Sequence, residues 1–502
     1  MAYASARYSA LSAARTSVLE RARDASNITI PGLIPEEGQN EHTVFSQPYQ
    51  AVGAHGVTNL SSRGIVALFP PNVPFFRLSV DSSVAAQLGT QLGDANSRLS
   101  DIGNVAYALF EGQVSRAVLG SVLTHLVVAG NALVFQPEDG PTRMFRLDQY
   151  VVRRKHSGEF IEIIVREQVF PSSLDPEVRA AVGLTSEKDE TAVELFTVVQ
   201  RKGTNVVHWQ EIKGVEVPGS RGQAPADACG WMPLRWEAVP GSDYGRSHVT
   251  RYIGDLLSLE DLSKAMVQFA MEASRILRIV DPNSGLDVEE LANAPTGEFL
   301  TGFADRIQTL GLDKSQDWTV MNSLATRLEE RLSNAFLLRS SAIRNAERVT
   351  AEEVRMVAEE LETILGGTYT LLASEFQAQL VNRFLYLGAK TGRLPKLPKS
   401  IRTRVITGFD ALGRTAEVNR LRDMLSDIAA TLGPEAIKEE MNTSEIVRRF
   451  GEGRNVEGLQ DLLKTPEQKQ ADQQSAAMAA AGQAAAPAIA KAGMEAATAP
   501  PA

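Results

Sequence analysis

Two long amphipathic segments in the second half of the chain constrain its fold more than any other feature. From Val249 to Ile276 apolar side chains recur every three or four residues, which predicts one helix of roughly 28 residues, on the order of 40 Å long. A second segment of the same kind runs from Trp318 towards Leu338. Each apolar stripe needs a covering partner, so both helices are expected to pack closely. The residues expected to pack there are Ile253, Leu256, Leu262, Met266, Phe269, Leu324 and Leu328.

A compact insert joins these helices, and a short basic loop follows them. The insert, residues 282–315, is punctuated by Gly and Pro. The loop carries Arg344 and Arg348, and it leads into a helix that begins at Thr350. Thr350 and Glu353 stand at capping-box spacing, so each side chain can accept a backbone N–H at the helix start. By pattern alone, this order favours a generic helical hairpin, which any α+β protein can contain.

The first half of the chain changes from helical to strand periodicity. Residues 150–152 and 160–165 predict two strands joined by a hairpin turn at residues 157–158. Residues 194–199 and 205–210 predict a second β segment. These strands and the long helices together predict an α+β fold that is mainly α.

Helical periodicity covers much of the remaining chain. The first helix, residues 10–24, carries Arg15, Arg21 and Arg23 and is expected to lie exposed. Further helices are predicted at residues 49–69, 95–130, 368–388, 414–432, 434–441 and 443–450. From Pro466 onward the chain is rich in Gln and Ala and has too few large apolar groups for a core. This tail is expected to be either mobile or helical only within an oligomer.

Amino-acid composition limits the classes of protein to which the chain can belong. The hydrophobic content of 43% is enough to build real cores, which excludes a chain that is disordered throughout. The 61 acidic residues outnumber the 51 basic ones, for a net charge of −10. That balance argues against a protein that grips nucleic acid through a broad basic surface. Ordinary solubility is sufficient to account for such mild acidity.

Cysteine usage and hydropathy indicate a protein that is soluble when made, in a reducing cytoplasm. The single cysteine, Cys229, excludes an intrachain disulfide framework. No run of apolar residues approaches the length of a membrane span, and the N-terminus lacks the apolar core of a secretion signal.

The motif inventory argues against an enzyme, and no cofactor or metal is expected. The sequence contains neither a Walker-type phosphate loop nor a G-x-S-x-G nucleophile elbow. Its six histidines are scattered without metal-ligand spacing. Carboxylates cluster at residues 352–353 and 359–362, on a helical face away from the apolar stripe, which favours a solvated or intersubunit face. Cys229 is expected to be a buried hydrophobic side chain.

Several sequence blocks resemble one known family. The string ERVTAEEVR at residues 347–355, followed by an acidic and apolar helix and by Gly366-Gly367, is similar to the portal (head-to-tail connector) proteins of short-tailed, podovirus-type double-stranded-DNA bacteriophages. Further blocks that resemble this family occupy residues 47–56, 59–60, 67–70, 126–131, 150–153 and 243–247. They occur in the same order as in the family and span roughly residues 25 to 415.

The resemblance implies a portal-type subunit with long stem helices, a β-containing wing, a small clip insert and a C-terminal helical crown. The expected boundaries are an N-terminal wing region at 1–243, a first stem helix at 244–277, a clip insert at 278–316, a second stem helix at 317–338, a tunnel loop at 339–349, long wing helices at 350–388, the crown at 389–465 and the tail at 466–502.

The resemblance also implies a function. Such subunits form a ring, expected to be a dodecamer, at one capsid vertex of the virion after assembly in the host bacterial cytoplasm. Double-stranded DNA is packaged and ejected through the ring without sequence specificity. The implied partners are the terminase motor, tail adaptor and nozzle proteins, scaffolding and major capsid proteins, and internal core proteins. Arg344 and Arg348 would form the constriction of the DNA channel; alternatively, they pair with Glu347 or Glu352.

A protein of another class would share many of these features. A scaffolding or tail-shaft protein without a DNA channel is the alternative function. The shape of the oligomer distinguishes the two, because only a portal forms a wide ring with an axial hole.

Overall fold

The computed structural model describes residues 3–39, 42–71, 74–80, 92–184, 191–273, 277–280, 287–293, 307–310, 315–338, 367–395, 403–407 and 409–433, with isolated positions between 295 and 468. The chain forms two compact units, Met1–Leu412 and Gly413–Ala502.

Helices dominate the described part of the chain. They are α1 (Tyr3–Asn27), α2 (Val52–Leu68), α3 (Leu92–Gln113), α4 (Arg116–Ala129), α5 (Pro176–Ala181), α6 (His248–Arg251), α7 (Ile253–Ala273), α8 (Val288–Asn293), α9 (Ser315–Ala335), α10 (Thr368–Leu372), α11 (Ala378–Lys390) and α12 (Phe409–Leu432). A π-helical turn, Ala373–Gln377, joins α10 to α11.

The strands are β1 (Phe76–Val80), β2 (Asn131–Phe135), β3 (Arg143–Phe145), β4 (Tyr150–Arg154), β5 (Phe160–Val169), β6 (Val193–Lys202), β7 (Asn205–Ile212), β8 (Val215–Glu216), β9 (Gly222–Pro225), β10 (Trp231–Arg235), β11 (Leu277–Val280), β12 (Ile307–Leu310) and β13 (Thr403–Thr407). All their pairings are antiparallel. The predicted α+β, mainly α class is confirmed.

The largest sheet has six strands in the order β4-β5-β6-β7-β8, with β9 also paired to β7. Val151, Ile164, Val198 and Trp209 lie side by side across four strands and are all buried. Their neighbours on the opposite face, such as Ile163, are buried too. Since both faces are covered, the strands are rich in β-branched residues without strict alternation. The hairpin and the second β segment predicted from the sequence are confirmed.

Helix α1 differs from its prediction. It extends over residues 3–27 and packs on the sheet, with Tyr8 against Phe196 at 5.6 Å between ring centroids. Arg15, expected to be exposed, is buried, and its guanidinium donates to the backbone oxygens of Leu147 (2.6 Å) and Tyr150. The buried face is built largely from alanines, so it leaves little apolar periodicity in the sequence.

A cluster of phenylalanines forms the centre of the helical core. Phe69, at the end of α2, lies 4.9 Å from Phe75 and 5.1 Å from Phe376, measured between ring centroids. Phe110 of α3 and Phe384 of α11 meet edge to face at 6.0 Å. These contacts join α2, α3, α11 and the π-helical turn into one core.

Two blocks that are separate in the sequence meet in space. Asn131, buried directly after α4, accepts the N–H of Gly245 at 2.7 Å and donates to its oxygen at 3.0 Å. Gly130 has φ of +74°, and an added Cβ would lie 2.6 Å from the carbonyl carbon of Arg246. Ser247 then caps α6 by accepting the N–H of Thr250 at 2.9 Å. This junction therefore fixes where the long helices begin.

The helix predicted from Val249 to Ile276 is interrupted. It begins as α6, breaks at Tyr252 and is described as α7 up to Ala273, while Leu277 already belongs to β11. Leu277, Ile279 and Val280 are apolar and continue the helical spacing of apolar residues in the sequence. In the structure, however, they form a strand. The expected first stem helix at 244–277 is therefore shorter at both ends.

One strand lies in the region expected to be a helical crown. β13 pairs with β1, with Phe76 opposite Thr407 and Val80 opposite Thr403. Thr and Val favour such a strand, but its partner is more than three hundred residues away in sequence, where local patterns give no sign of it. The helix predicted at 414–432 is present within α12, which is followed by Gly433 with φ of +89°.

Within the part of the chain that the structure describes, no single helix is both long and apolar enough to cross a membrane. Residues 98–113 and 116–129 together reach that length and composition but are bent by 82°.

Replacing Asn131 by Ala should lower the free energy of unfolding by about 1–3 kcal/mol, because the buried N–H of Gly245 loses its acceptor. Chemical denaturation measures the loss. Asn104→Ala, at an exposed position on α3, is the control and should change stability little. Equal losses in the two variants would show that the Asn131 contacts do not stabilise the junction.

Candidate functional site

The two long helices form an antiparallel pair. Each has 21 residues, or about 31 Å of helix. At one end Arg331 of α9 forms an ion pair with Asp255 of α7 at 2.9 Å. Towards the other end the rings of Phe269 and Trp318 stack at 5.6 Å. The predicted pairing of these segments is thus present within a single subunit.

A short β ladder continues the pair beyond its outer end. Leu277 of β11 lies opposite Leu310 of β12, and Val280 lies opposite Ile307. Helix α8 follows β11 in the chain. The insert expected at 278–316 therefore contains an antiparallel ladder, which its Gly- and Pro-rich composition did not reveal.

Burial decreases along the helix pair from its inner to its outer end. Leu256 and Leu328 are buried in the main core, as expected. The other expected packing residues of α7, Ile253, Leu262, Met266 and Phe269, are half-buried. Leu324 is 46% exposed, and Val320, one turn further out, is 65% exposed. The outer half of the pair thus presents apolar side chains that one subunit does not cover.

Helix α2 fixes the point where the chain leaves α9. An added Cβ at Gly56 would lie 2.6 Å from Cγ of Phe336, so only glycine permits this close approach. Asn59 donates through Nδ2 to the carbonyl oxygens of Phe336 and Leu337, both at 3.0 Å. Leu337 has φ of +58°, a left-handed conformation that ends the helix. Asn59 thereby satisfies carbonyls that a helix end leaves unpaired.

The same helix holds the far side of the following segment. Arg63, buried on α2, forms an ion pair with Glu360 at 2.9 Å. Its Nε also donates to Oδ1 of Asn59 at 3.4 Å. Residues 56, 59 and 63 lie on one face of α2 by their helical spacing. We call Gly56, Asn59 and Arg63 the α2 anchor, because they hold the chain both before residue 339 and at residue 360.

The predicted constriction residues lie between these two fixed points. Arg344, Arg348, Thr350 and Glu353 fall outside the described residues, so their roles as loop cations and helix cap stay predictions. The α2 anchor was not predicted. Asn59 belonged to a sequence block resembling the family, and the only signal for an anchor was a spacing of three and four residues between Gly56, Asn59 and Arg63.

His248 of α6 makes a further contact with the end of α9. Its Nε2 donates to the oxygen of Ala335 at 3.0 Å, and its ring meets Phe336 edge to face at 5.0 Å. Burial lowers the pKa of His248 to about 4, so the ring is neutral at pH 7. Burial likewise lowers the pKa of His125, a buried residue of α4, to about 4.

Among the described residues, no group of three or more His, Cys, Asp or Glu side chains could hold a metal ion. Cys229 is buried, as predicted, and burial raises the pKa of its thiol to about 11. The thiol is therefore protonated at neutral pH.

Comparison with known proteins gives consistent matches. The family profile described as "Bacteriophage head to tail connecting protein" matches residues 2–458. The portal protein of Escherichia phage T7 is 36% identical over 90% of this chain and 86% of its own length. The portal protein of Enterobacteria phage T3 is 35% identical over 93% of this chain and 89% of its own. A solved structure of the neck of an empty GTA particle covers 80% of this chain and 90% of that chain, with 12% identity and a TM-score of 0.39.

Acidification should destabilise the packing of α6 against the end of α9, because His248 is buried there. Its pKa is near 6.5 when unfolded and about 4 when folded, so its contribution is complete above pH 6.5. As the pH falls towards 4, up to about 3 kcal/mol is lost. Unfolding free energies measured from pH 7 to 4 should fall less steeply for His248→Gln, which keeps an N–H donor for Ala335. His156→Gln, at an exposed histidine, should follow the parent chain; identical slopes in all three would contradict this assignment.

Proposed function

This chain belongs to the family of bacteriophage head to tail connecting proteins, and on that premise we propose that it assembles into a ring whose axial channel carries double-stranded DNA into and out of the capsid. The family resemblance drawn from the sequence is confirmed. The chain is a head-to-tail connector of the phage virion. The proposal concerns its oligomer, its channel and its partners.

The exposed apolar surface of the helix pair is the observation that supports a ring-shaped oligomer. Val267 of α7 and Val320 and Leu324 of α9 are 45%, 65% and 46% exposed. Val320 and Leu324 are four residues apart and therefore share one face of α9, and an exposed apolar face of this kind marks a contact with another chain. A second copy of this chain, seated against the outer half of the pair, covers it, and repetition of that contact closes a ring. We propose twelve copies, as the family resemblance implies.

The segment between the two fixed points of the α2 anchor is the proposed constriction. Arg344 and Arg348 belong to this segment, and ring symmetry would bring two guanidiniums from every subunit to the axis. Each contact with a DNA phosphate is weak and screened over about 8–10 Å at physiological salt. Many such contacts together retain packaged DNA, while the net charge of −10 keeps the remaining wall from binding it.

The ladder of β11 and β12 forms the outer end of the helix pair, and we propose that it docks the partners. The terminase motor binds there during packaging, and the tail adaptor and nozzle proteins bind there afterwards. Scaffolding, major capsid and internal core proteins are the proposed contacts of the rest of the ring. Electron microscopy of the purified protein should show wide rings with an axial hole. Fibres or monomers would favour the scaffolding or tail-shaft alternative.

Changing Leu324 to Asp should abolish rings while leaving the subunit folded. The side chain is exposed in one subunit, so little burial is lost there, but every contact between subunits would contain a desolvated carboxylate. Size-exclusion chromatography with light scattering should detect folded single subunits. Asn322→Asp, which adds the same charge at an exposed polar position of α9, should still form rings. Normal rings from Leu324→Asp would refute the proposed contact.

Replacing both Arg344 and Arg348 by Ala should spare ring assembly but reduce DNA retention. The double Lys variant keeps both charges and should retain DNA. The measurement is the DNA content of packaged particles after incubation at physiological salt. If the Ala variant instead fails to form rings, the arginines are structural ion-pair partners and the constriction is misassigned.

A further inference from the structure

A cavity of about 400 Å³ lies away from the helix pair, between the large sheet and α11. Its walls come from β7, β9, the end of β2, the start of β10 and α11. Arg383, Trp231, Phe135 and His208 are among its lining residues, with Glu138 and Lys390. The proposed function of the chain uses none of these side chains.

Arg383 is the unusual member of this lining. It is 4% exposed, and its guanidinium makes one hydrogen bond, from Nη1 to the oxygen of Ala228 at 3.3 Å. Its Nε is buried and has no hydrogen-bond partner within the described part of the chain. The ring of Tyr386 lies 5.7 Å from its Cζ. An arginine keeps its charge at all physiological pH values. This buried cation therefore has more N–H donors than hydrogen-bond acceptors around it.

Other groups in the cavity add donors. The indole Nε1 of Trp231, also buried, finds no acceptor among the described residues. Lys390 and Glu138 form an ion pair at 2.5 Å, and about half of each side chain is exposed. Arg221 is exposed and is bound to Glu216 at 2.6 Å. The cavity is thus lined by the buried guanidinium of Arg383, while its one lining carboxylate, Glu138, is already paired with Lys390.

The aromatic side chains determine what kind of molecule fits. Phe135 and Trp231 stack with ring centroids 3.9 Å apart and form an apolar wall. A volume near 400 Å³ suits a small molecule or a single chain end and excludes a DNA duplex. A buried guanidinium that lines a cavity is best satisfied by an oxyanion.

We propose that this cavity binds a small ligand through a carboxylate or phosphate group, with Arg383 as the principal ligand-binding residue. The oxyanion accepts from the guanidinium of Arg383 and neutralises the buried charge. The rim pair of Lys390 and Glu138 stays in place, because Lys390 already has its counter-ion. The site is independent of the ring and of DNA.

Isothermal titration of the full-length protein with inorganic phosphate and, separately, with acetate tests this site at constant ionic strength. At least one of the two should bind; binding of phosphate alone identifies a phosphate ligand, and binding of acetate identifies a carboxylate. Arg383→Met, which keeps side-chain volume, should weaken binding at least about tenfold, the loss of one charge-assisted hydrogen bond. Arg153→Met, at an exposed arginine of β4, should bind like the parent chain.

A second variant keeps the test decisive if Arg383→Met does not fold. Ala224→Met retains Arg383 but fills part of the cavity, since Ala224 lines it, and should also weaken binding. Absence of binding by both anions to the parent chain would overturn the proposal. So would affinities unchanged in Arg383→Met or, where that variant does not fold, in Ala224→Met.

Discussion

The contact between α2 and the end of α9 is the constraint on which the functional half of this molecule depends. A helix end leaves carbonyls without partners, and Asn59 supplies the donor for two of them. Gly56 makes the approach possible, because any larger residue would collide with Phe336. Arg63 then reaches Glu360 on the far side of the following segment. A single helix of the core therefore holds the chain at residues 336–337 and at residue 360, on the two sides of that segment in the sequence.

The helix pair divides into two energetic regions. Its inner half is part of the main core through residues such as Leu256 and Leu328, and removing those side chains would unfold the body. Its outer half is stabilised by contacts within the pair, such as that between Phe269 and Trp318, and by the proposed contact of a second subunit with Leu324. Folding of the subunit and association of subunits therefore depend on different residues, and mutations can separate the two.

Elements with strong local patterns were predictable from the sequence. The helix pair, the hairpin around residues 157–158 and the burial of Cys229 follow from periodicity, turn residues and cysteine chemistry. The pairing of β1 with β13 was not predictable, because it joins distant segments. Arg15 was assigned to an exposed face because the alanines around it give no apolar stripe. At the candidate site, the burial of Leu256 and Leu328 follows from helical spacing, whereas Leu324 is 46% exposed in one subunit. The α2 anchor depends on contacts between segments far apart in the chain.

The π-helical turn at Ala373–Gln377 has a consequence for how this protein tolerates change. A π turn inserts one extra residue into a helix and so rotates everything beyond it by about 100°. It lets Glu375 meet Arg235, with 3.1 Å between Oε1 and Nε, while Phe376 packs 5.1 Å from Phe69 and α11 still presents Phe384 to the core. Deleting a single residue here would restore a regular helix but turn α11 out of phase with its neighbours. The length of this stretch is therefore under tighter constraint than the identity of most of its side chains.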